Sequence, residues 1–485
     1  MGGGDGPGAR ALRRLPCFER VCGVKVLLAV HGYPPELCGG TEGSTQALAR
    51  SAAAGGVEVM VVAGSLEHGE EFSVSEDVDR DPQTGAGVRV RRMHRSDLYF
   101  DHWHKLHSQD VGQAFTDILE EWRPDVVHVM HWLRLSDDLV LRAARAGIPS
   151  LVTLNDHLTS CLLSLRVHPE REAPCEETHS AMVCMACAGA LPPRTPWVPL
   201  EQQMVLFAER KARLDRELDL AQYRIVPSLA HGEALARHTG RSQGALVIPP
   251  ARAERLSPSP PLPAPDGDQP LRLGLWSGGG AAKGARSILS ALIRVVDAGL
   301  ASPVELHLAG IEPMDMSAVD LPKGLCCIQH GPFKHDELSQ HPVTRVHAAL
   351  VGSLAPESYG LVADEAFELG LPTLLPSAPA LVERFQDQAG VDFYDPASEA
   401  SLVEALGALC ARLPQPLSAR GDIAPSMQAL TAMHMGLWER ACAAPVPAEA
   451  PAENWFESRL RSEAQASWDR QCSQTSPEDL GFSPS

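Results

Sequence analysis

Long hydrophobic runs are missing: no stretch of about eighteen consecutive apolar residues, the length that carries a helix across a bilayer, occurs in the 485-residue sequence. A membrane-spanning helix is therefore not expected. The opening MGGGDGPGARALRRLPCFER has no apolar block of the secretory kind, and Gly6 stands where a myristoylation signal needs Ser or Thr. Positive charge is also short, with 42 Lys+Arg against 61 Asp+Glu and a formal net charge of −19. Such a surface repels phosphate backbones and anionic lipid headgroups, so nucleic acid is not an expected partner, and membrane contact is left to a local, peripheral patch. The twelve cysteines are too widely spread, with Cys326 and Cys327 adjacent, to form the framework of a small secreted domain. Reduced thiols and a cytoplasmic location follow as expectations.

What the sequence does contain is a repeated alternation of buried strand and helix. At 44% hydrophobic and 21% charged, it supports two or three domains with ordinary cores. Apolar runs of strand length stand at 24–30, 57–64, 124–130, 149–154 and 223–228, the first followed by a glycine-rich turn and a helix. A long helix before the fifth strand carries Met204, Phe207, Lys211, Leu214 and Leu218 on one stripe, which reads as core packing. Composition then shifts at SPSPPLPAPDGDQP, whose prolines favour extended, solvated chain. The alternation restarts beyond it, with strands at 271–277, 304–310, 326–331, 347–353 and 372–377. Strands buried on both faces and alternating with helices imply parallel sheets. The expected architecture is α/β, with two Rossmann-like doubly wound domains facing across a cleft. Its divisions are a tail at 1–22, a first domain at 23–256, a linker at 257–270, a second domain at 271–415, helices within 416–470 (about 424–443 and 454–470) and a disordered tail at 471–485.

Ligands of such sheets bind beyond the carboxyl ends of the strands, so the loops there are the place to look for chemistry. After the first strand of the second domain comes SGGGAAKG, in which Gly279 and Gly280 let backbone amides approach an anion and Lys283 supplies a cation. A simple tight turn is the competing reading, and the order of a Walker loop is absent. The stretch APESYGLVADEAFELGLP sets Glu357 in a loop and Glu365 on the helix that follows, expected from about Ser358 to Leu369. On that reading Glu365 lies seven residues in, roughly 10 Å along the axis. The two carboxylates are then too distant to share a proton but suited to gripping opposite ends of one ligand; whether Glu365 faces solvent is not decided by the pattern. In HGYPPELCGGTEG, Gly39 and Gly40 allow a close backbone approach.

These blocks, together with PDVVHVMHWL, AGIPSLVTLNDH, RIVPS, KGARSILSAL and VELHLAG, resemble in register, from about 24 to 410, the family-4 retaining glycosyltransferases of the GT-B fold. The E-x7-E block is the most specific part. The resemblance implies an enzyme that moves a hexosyl group from a nucleoside-diphosphate sugar to a glycan or lipid-linked acceptor, in polysaccharide, lipopolysaccharide or glycolipid assembly, with no metal required for catalysis. It implies that Glu357 lies by the donor sugar, Glu365 on the ribose hydroxyls and Lys283 on the diphosphate. Gly279, Gly280, Ser358, Tyr359, Gly360 and Leu361 complete the donor site, and Gly39, Gly40 and Asn155 line the acceptor or phosphate side. The chain departs from the family pattern at Gly278, where many members have arginine, at Asn155 for histidine, at Pro379 for glycine and at Gly352 for proline. The alternative is a GT-B-shaped protein that has lost catalysis and only binds a nucleotide or a partner.

Two further segments stand out. In RVRRMHRSDLYFDHWHKLHS, Arg89, Arg91, Arg92, Arg95 and Lys105 are concentrated with His102, His104 and His107; an anionic acceptor site and a solvated loop are the two readings, and the histidine spacing lacks a fourth metal ligand nearby. In the loop at 157–198, Cys161, Cys175, Cys184 and Cys187 offer four soft ligands, enough for a closed structural zinc site. An iron–sulfur cluster, two disulfides and four free thiols are the alternatives, and His168 or His179 can replace one sulfur.

Overall fold

The computed structural model of the protein describes residues 23–169, 171–188, 199–241, 244–252, 256–258, 261–265, 269–300, 302–413 and 423–448. The tails at 1–22 and 471–485 and the helix expected at 454–470 lie outside the described residues. The first sheet is built from β1 (Lys25–Val30), β2 (Glu58–Gly64), β3 (Ser73–Arg80), β4 (Gly87–His94), β5 (Val126–Val129) and β6 (Ser150–Thr153). A small two-stranded ribbon, β7 (Val167–His168) with β8 (Ala173–Pro174), interrupts it before β9 (Tyr223–Val226) and β10 (Leu246–Val247). The spatial order is β10-β9-β6-β5-β1-β2-β4-β3, parallel throughout except for the β3–β4 pair. The second sheet, β11 (Leu271–Gly279), β12 (Val304–Ile311), β13 (Leu325–Gln329), β14 (Ala348–Leu350), β15 (Thr373–Pro376) and β16 (Val391–Tyr394), is parallel in the order β13-β12-β11-β14-β15-β16.

Helices cover both faces of the first sheet, which explains why its strands read as continuous apolar runs. In β1, Leu27 and Ala29 point to one side and Val26, Leu28 and Val30 to the other, all of them buried. The first side packs on α2 (Gln109–Trp122), α3 (Leu139–Arg145) and α5 (Leu200–Leu220), the last through Leu214 and Leu218. The second side packs on α1 (Gly40–Ala54) through Ala47, Leu48 and Ala52. The two remaining helices of this domain are α4 (Ala181–Ala188), in the cysteine loop, and α6 (Leu229–Thr239), whose Leu235 joins the first side. On the second sheet, α7 (Ala285–Asp297) and α10 (Glu399–Arg412) share one core, while α8 (Leu361–Glu368) and α9 (Pro379–Phe385) meet in another through Phe367 and Phe385. The chain then goes back. Helix α11 (Met427–Ala443) packs not on the second domain but on the first, where Leu430, Leu437 and Trp438 join α1 and β1.

The basic stretch at 89–108 takes a form that neither reading of the sequence anticipated, because its first half is strand β4. The polar SVSEDVDR pairs with it as the exposed edge strand β3 and supplies the counter-charges. Glu76 receives bonds from Arg89 (2.9 Å) and Arg91 (2.8 Å), and Arg91 also reaches Glu121. Arg92 donates to the carbonyls of Tyr33 and Pro34, and Arg95 to Asp97. These arginines are occupied within the fold and form no free basic patch. Among the described residues, no helix is long and apolar enough to cross a membrane.

Candidate functional site

Strand order reverses beside β1 in the first sheet and beside β11 in the second, and loops leaving the adjacent strands diverge there to open a crevice. The loops after β6 and β9 in one domain and after β14 in the other are in contact. Ser358 Oγ donates to the carbonyl of Asn155 at 2.6 Å, His157 Nε2 donates to that of Pro356 at 3.0 Å, and Ser228 Oγ donates to that of Ser358 at 2.7 Å. The carboxyl edges of the two sheets therefore face one another.

On the second-domain side, Lys283 Nζ lies 3.0 Å from Glu357 Oε1. Glycine makes this approach possible. Gly284 has φ +67°, and a Cβ there would fall 1.8 Å from the carbonyl oxygen of Gly352; a Cβ on Gly352 would in turn press on the carbonyl of Lys283 at 2.8 Å. The loop after β11 is thus laid directly on the loop after β14 and pinned by Leu354 N–H donating to Ala282 (2.8 Å). The proline expected from family resemblance would not fit at 352 in that contact. Burial raises the Glu357 carboxyl, but the Lys283 charge together with hydrogen bonds from Ser353 and Lys283 outweighs it and holds the group below the usual carboxylate range.

Glu365 is positioned differently from the expectation. Helix α8 starts at Leu361 rather than Ser358, because Gly360, at φ +92°, breaks the chain direction just before it. Glu365 is then the fifth helical residue, roughly 6 Å along the axis. It faces inward, 6% exposed, accepting a bond from Trp276 Nε1 at 2.8 Å, and burial pushes its carboxyl up to about 7. Tyr359 is packed away, its ring 3.5 Å beneath the Arg384 guanidinium. Gly278 and Gly280 are exposed, next to Gly279 at the end of β11, and a side chain at Gly278 would meet open space.

On the first-domain side, Gly39 and Gly40 form the exposed N-terminus of α1, and a Cβ on Gly40 would lie 3.0 Å from Leu361 at the start of α8. Two helix N-termini therefore approach each other across the crevice, an arrangement that favours an anion between them. Asn155 is a tie between domains: its amide donates to the carbonyl of Met130 (3.2 Å) while its own carbonyl holds Ser358.

Four residues that the sequence reading passed over form the polar floor of this side. His31 Nε2 donates to Glu42 at 2.8 Å, the His31 ring lies 4.0 Å from that of His131, and His131 Nε2 donates to Asp156 at 3.0 Å. His131 Nδ1 accepts from Leu133 N–H, so both of its nitrogens are engaged. Burial raises Asp156, but the His131 charge and bond override it and place the carboxyl far below its ordinary range. Burial lowers the pKa of His31, and the neighbouring His131 lowers it further, against the bond to Glu42. The available signal was positional: His31 directly follows β1, His131 stands two residues past β5, and Asp156 three past β6.

The four loop cysteines do come together. Cys161, Cys175, Cys184 and Cys187 line one cavity of about 20 Å³ beside the Arg166 guanidinium. All four are free thiols, so the two-disulfide alternative is absent from this structure, and burial pushes Cys184 up to about 12. Among the described residues, no group of three or more His, Cys, Asp or Glu side chains stands close enough to hold a metal ion.

Comparison with known proteins bears on the fold. Residues 39–259 match the family model of the glycosyl transferase 4-like domain. No curated protein matches the chain in sequence. Among solved structures, the chain is similar to sucrose-phosphate synthase from Thermosynechococcus elongatus (15% identity, 93% of this chain and 100% of that one, TM-score 0.54). It is likewise similar to Anabaena HepE in complex with UDP and glucose (14%, 87% and 100%, TM-score 0.51). A third is the catalytic domain of starch synthase IV from Arabidopsis thaliana bound to ADP and acarbose (12%, 87% and 100%, TM-score 0.52). At these identities the likeness establishes the fold, which is GT-B.

Proposed function

We propose, from the premise that the chain is a glycosyltransferase with a glycosyl transferase 4-like domain and the GT-B fold, that it moves a hexosyl group from a nucleoside-diphosphate sugar to a hydroxyl of a glycan or lipid-linked acceptor, with retention at the anomeric carbon. The observation that carries this is the Lys283–Glu357 pair, held by the Gly284–Gly352 contact in the loop whose Pro356 carbonyl is bonded by His157 of the first domain. The reading is supported by two neighbours of the same fold, HepE in complex with UDP and glucose and starch synthase IV bound to ADP and acarbose.

In the reaction the bond between the anomeric carbon and the β-phosphate oxygen breaks, and the acceptor oxygen takes its place. Charge accumulates on the departing diphosphate, where Lys283 and the amides at the starts of α1 and α8 stabilise it. Glu357, ionised beside Lys283, accepts from hydroxyls of the donor sugar. Glu365 accepts from the ribose hydroxyls, as a carboxylate can from a vicinal pair. Asp156, bonded to His131, serves as a hydrogen-bond acceptor on the first-domain side, and the acceptor's proton passes to the leaving phosphate oxygen. No step draws on a metal; a zinc ion on the loop thiols would order the loop and leave the transfer untouched.

The test is a screen of UDP-, GDP- and ADP-sugars for slow donor hydrolysis by the wild type and by Lys283→Ala. Removing the cation is expected to lower turnover by about a hundredfold or more, as for loss of one electrostatic stabiliser, with the fold intact. A variant with wild-type kcat removes Lys283 from the mechanism. Nucleotide binding without hydrolysis or transfer of any donor points instead to the non-catalytic alternative.

A further inference from the structure

Helix α5 carries an arginine on its buried stripe. Arg210 lies between Phe207 and Leu214 in the helical repeat and is 2% exposed. Among the described residues it makes one hydrogen bond, from Nη2 to the carbonyl of Leu158 at 2.8 Å, and its buried Nε and Nη1 have no partner there. The nearby carboxylates are engaged elsewhere, Asp137 with His107 and Arg213 and Asp156 with His131. A buried guanidinium with unused donors is costly, and a protein that keeps one has a use for it.

Arg210 lines a cavity of about 240 Å³, room for about eight groups of water size. His102, 6% exposed and with neither ring nitrogen bonded among the described residues, lines the same cavity. The rest of the wall is leucine and Trp103, apart from Ser164 and the exposed Asp101. Leu158 belongs to this wall, and the residue before it, His157, holds the carbonyl of Pro356, next to Glu357. The cavity thus adjoins the donor crevice on the first-domain side.

We propose that this cavity is the acceptor site and that it takes an anionic group, a phosphate or carboxylate, carried on an apolar body. The anion meets Arg210 and His102, and the apolar body fills the leucine-lined space. This rests on the transfer reading above for the word acceptor; the binding chemistry stands on the cavity alone.

Calorimetric titration separates the components, using octyl phosphate, octanol and inorganic phosphate as probes. Octyl phosphate is expected to bind at least tenfold more tightly than either of the others. Arg210→Met is expected to lose at least tenfold in octyl phosphate affinity, to keep its octanol affinity, and to show no fall in thermal midpoint, since it removes an under-bonded charge. Leu133→Trp, which fills the cavity from a second element, is expected to abolish octyl phosphate binding and leave UDP binding unchanged. Octanol or inorganic phosphate binding as tightly as octyl phosphate overturns the proposal, as does an Arg210→Met protein that binds octyl phosphate like the wild type. Octyl phosphate binding in a protein that transfers no sugar overturns the transfer reading and leaves the site standing.

Discussion

Glu365 places a carboxyl where burial resists its charge, and the consequence is a definite dependence of stability on pH. Its folded pKa of about 7 lies above the ordinary 4.5, so the folded protein holds a proton that the unfolded chain has released between those values. Stability from this group therefore falls as pH rises through that window, and the full cost is present above pH 7. Glu365→Gln keeps an oxygen for Trp276 without the charge. It is expected to be more stable than wild type by about 1–3 kcal/mol at pH 8, with the difference vanishing below pH 5, as denaturant titrations at the two pH values would reveal. The same substitution leaves one acceptor oxygen for two ribose hydroxyls, so UDP affinity is expected to fall while stability rises. A stability gap independent of pH would show that the carboxyl is not the source. At this scale Lys283, Glu357 and Glu365 were legible because each belongs to a compact motif. His31, Glu42, His131 and Asp156 were not, because they reach one another only when three strands are laid side by side.

At the scale of elements, legibility followed burial. The parallel strands were visible because both faces of each are covered, which writes an uninterrupted apolar run. Strand β3 was hidden because it is an edge, with acidic residues matched to the arginines of β4. The start of α8 was misplaced by three residues because the pattern SYGLVADEAFE does not say that Gly360 takes a left-handed conformation. Helix α11 was visible as a helix, but its partner was not: nothing in MQALTAMHMGLWERACA names the sheet that it covers. Trp438 makes that assignment testable. It is 1% exposed, donates to His128 Nδ1 at 3.3 Å and seals the β1 side of the first core. Trp438→Ala is expected to destabilise the protein by about 3–5 kcal/mol. Hydrogen exchange is expected to quicken in β1 and β5 and to stay unchanged in β11 and β12; uniform acceleration across both sheets would speak against this allocation.

The whole molecule is held closed by few and specific contacts. Besides the bonds at Ser358 and Pro356, Glu383 of α9 caps α6 across the domain boundary, accepting from Leu229 N–H (3.3 Å) and Ala230 N–H (2.8 Å). A carboxylate on free helix amides is worth about 1 kcal/mol, small enough for a donor nucleotide to tip the balance between open and closed forms. Glu383→Ala is therefore expected to show a larger radius of gyration by small-angle scattering than the wild type, and UDP to shrink it. Profiles that are identical with and without UDP in both proteins would mean that the domains do not move.

Because α11 returns to the first domain, the polypeptide passes between the two domains twice, once before β11 and once between α10 and α11. One tether leaves a body free to swivel about a point, whereas two tethers leave it a single line about which to turn. Any closure that scattering detects is therefore expected to follow one path, as a door on two hinges does, and to bring the second-domain pair Lys283 and Glu357 back to the first domain in the same register each time.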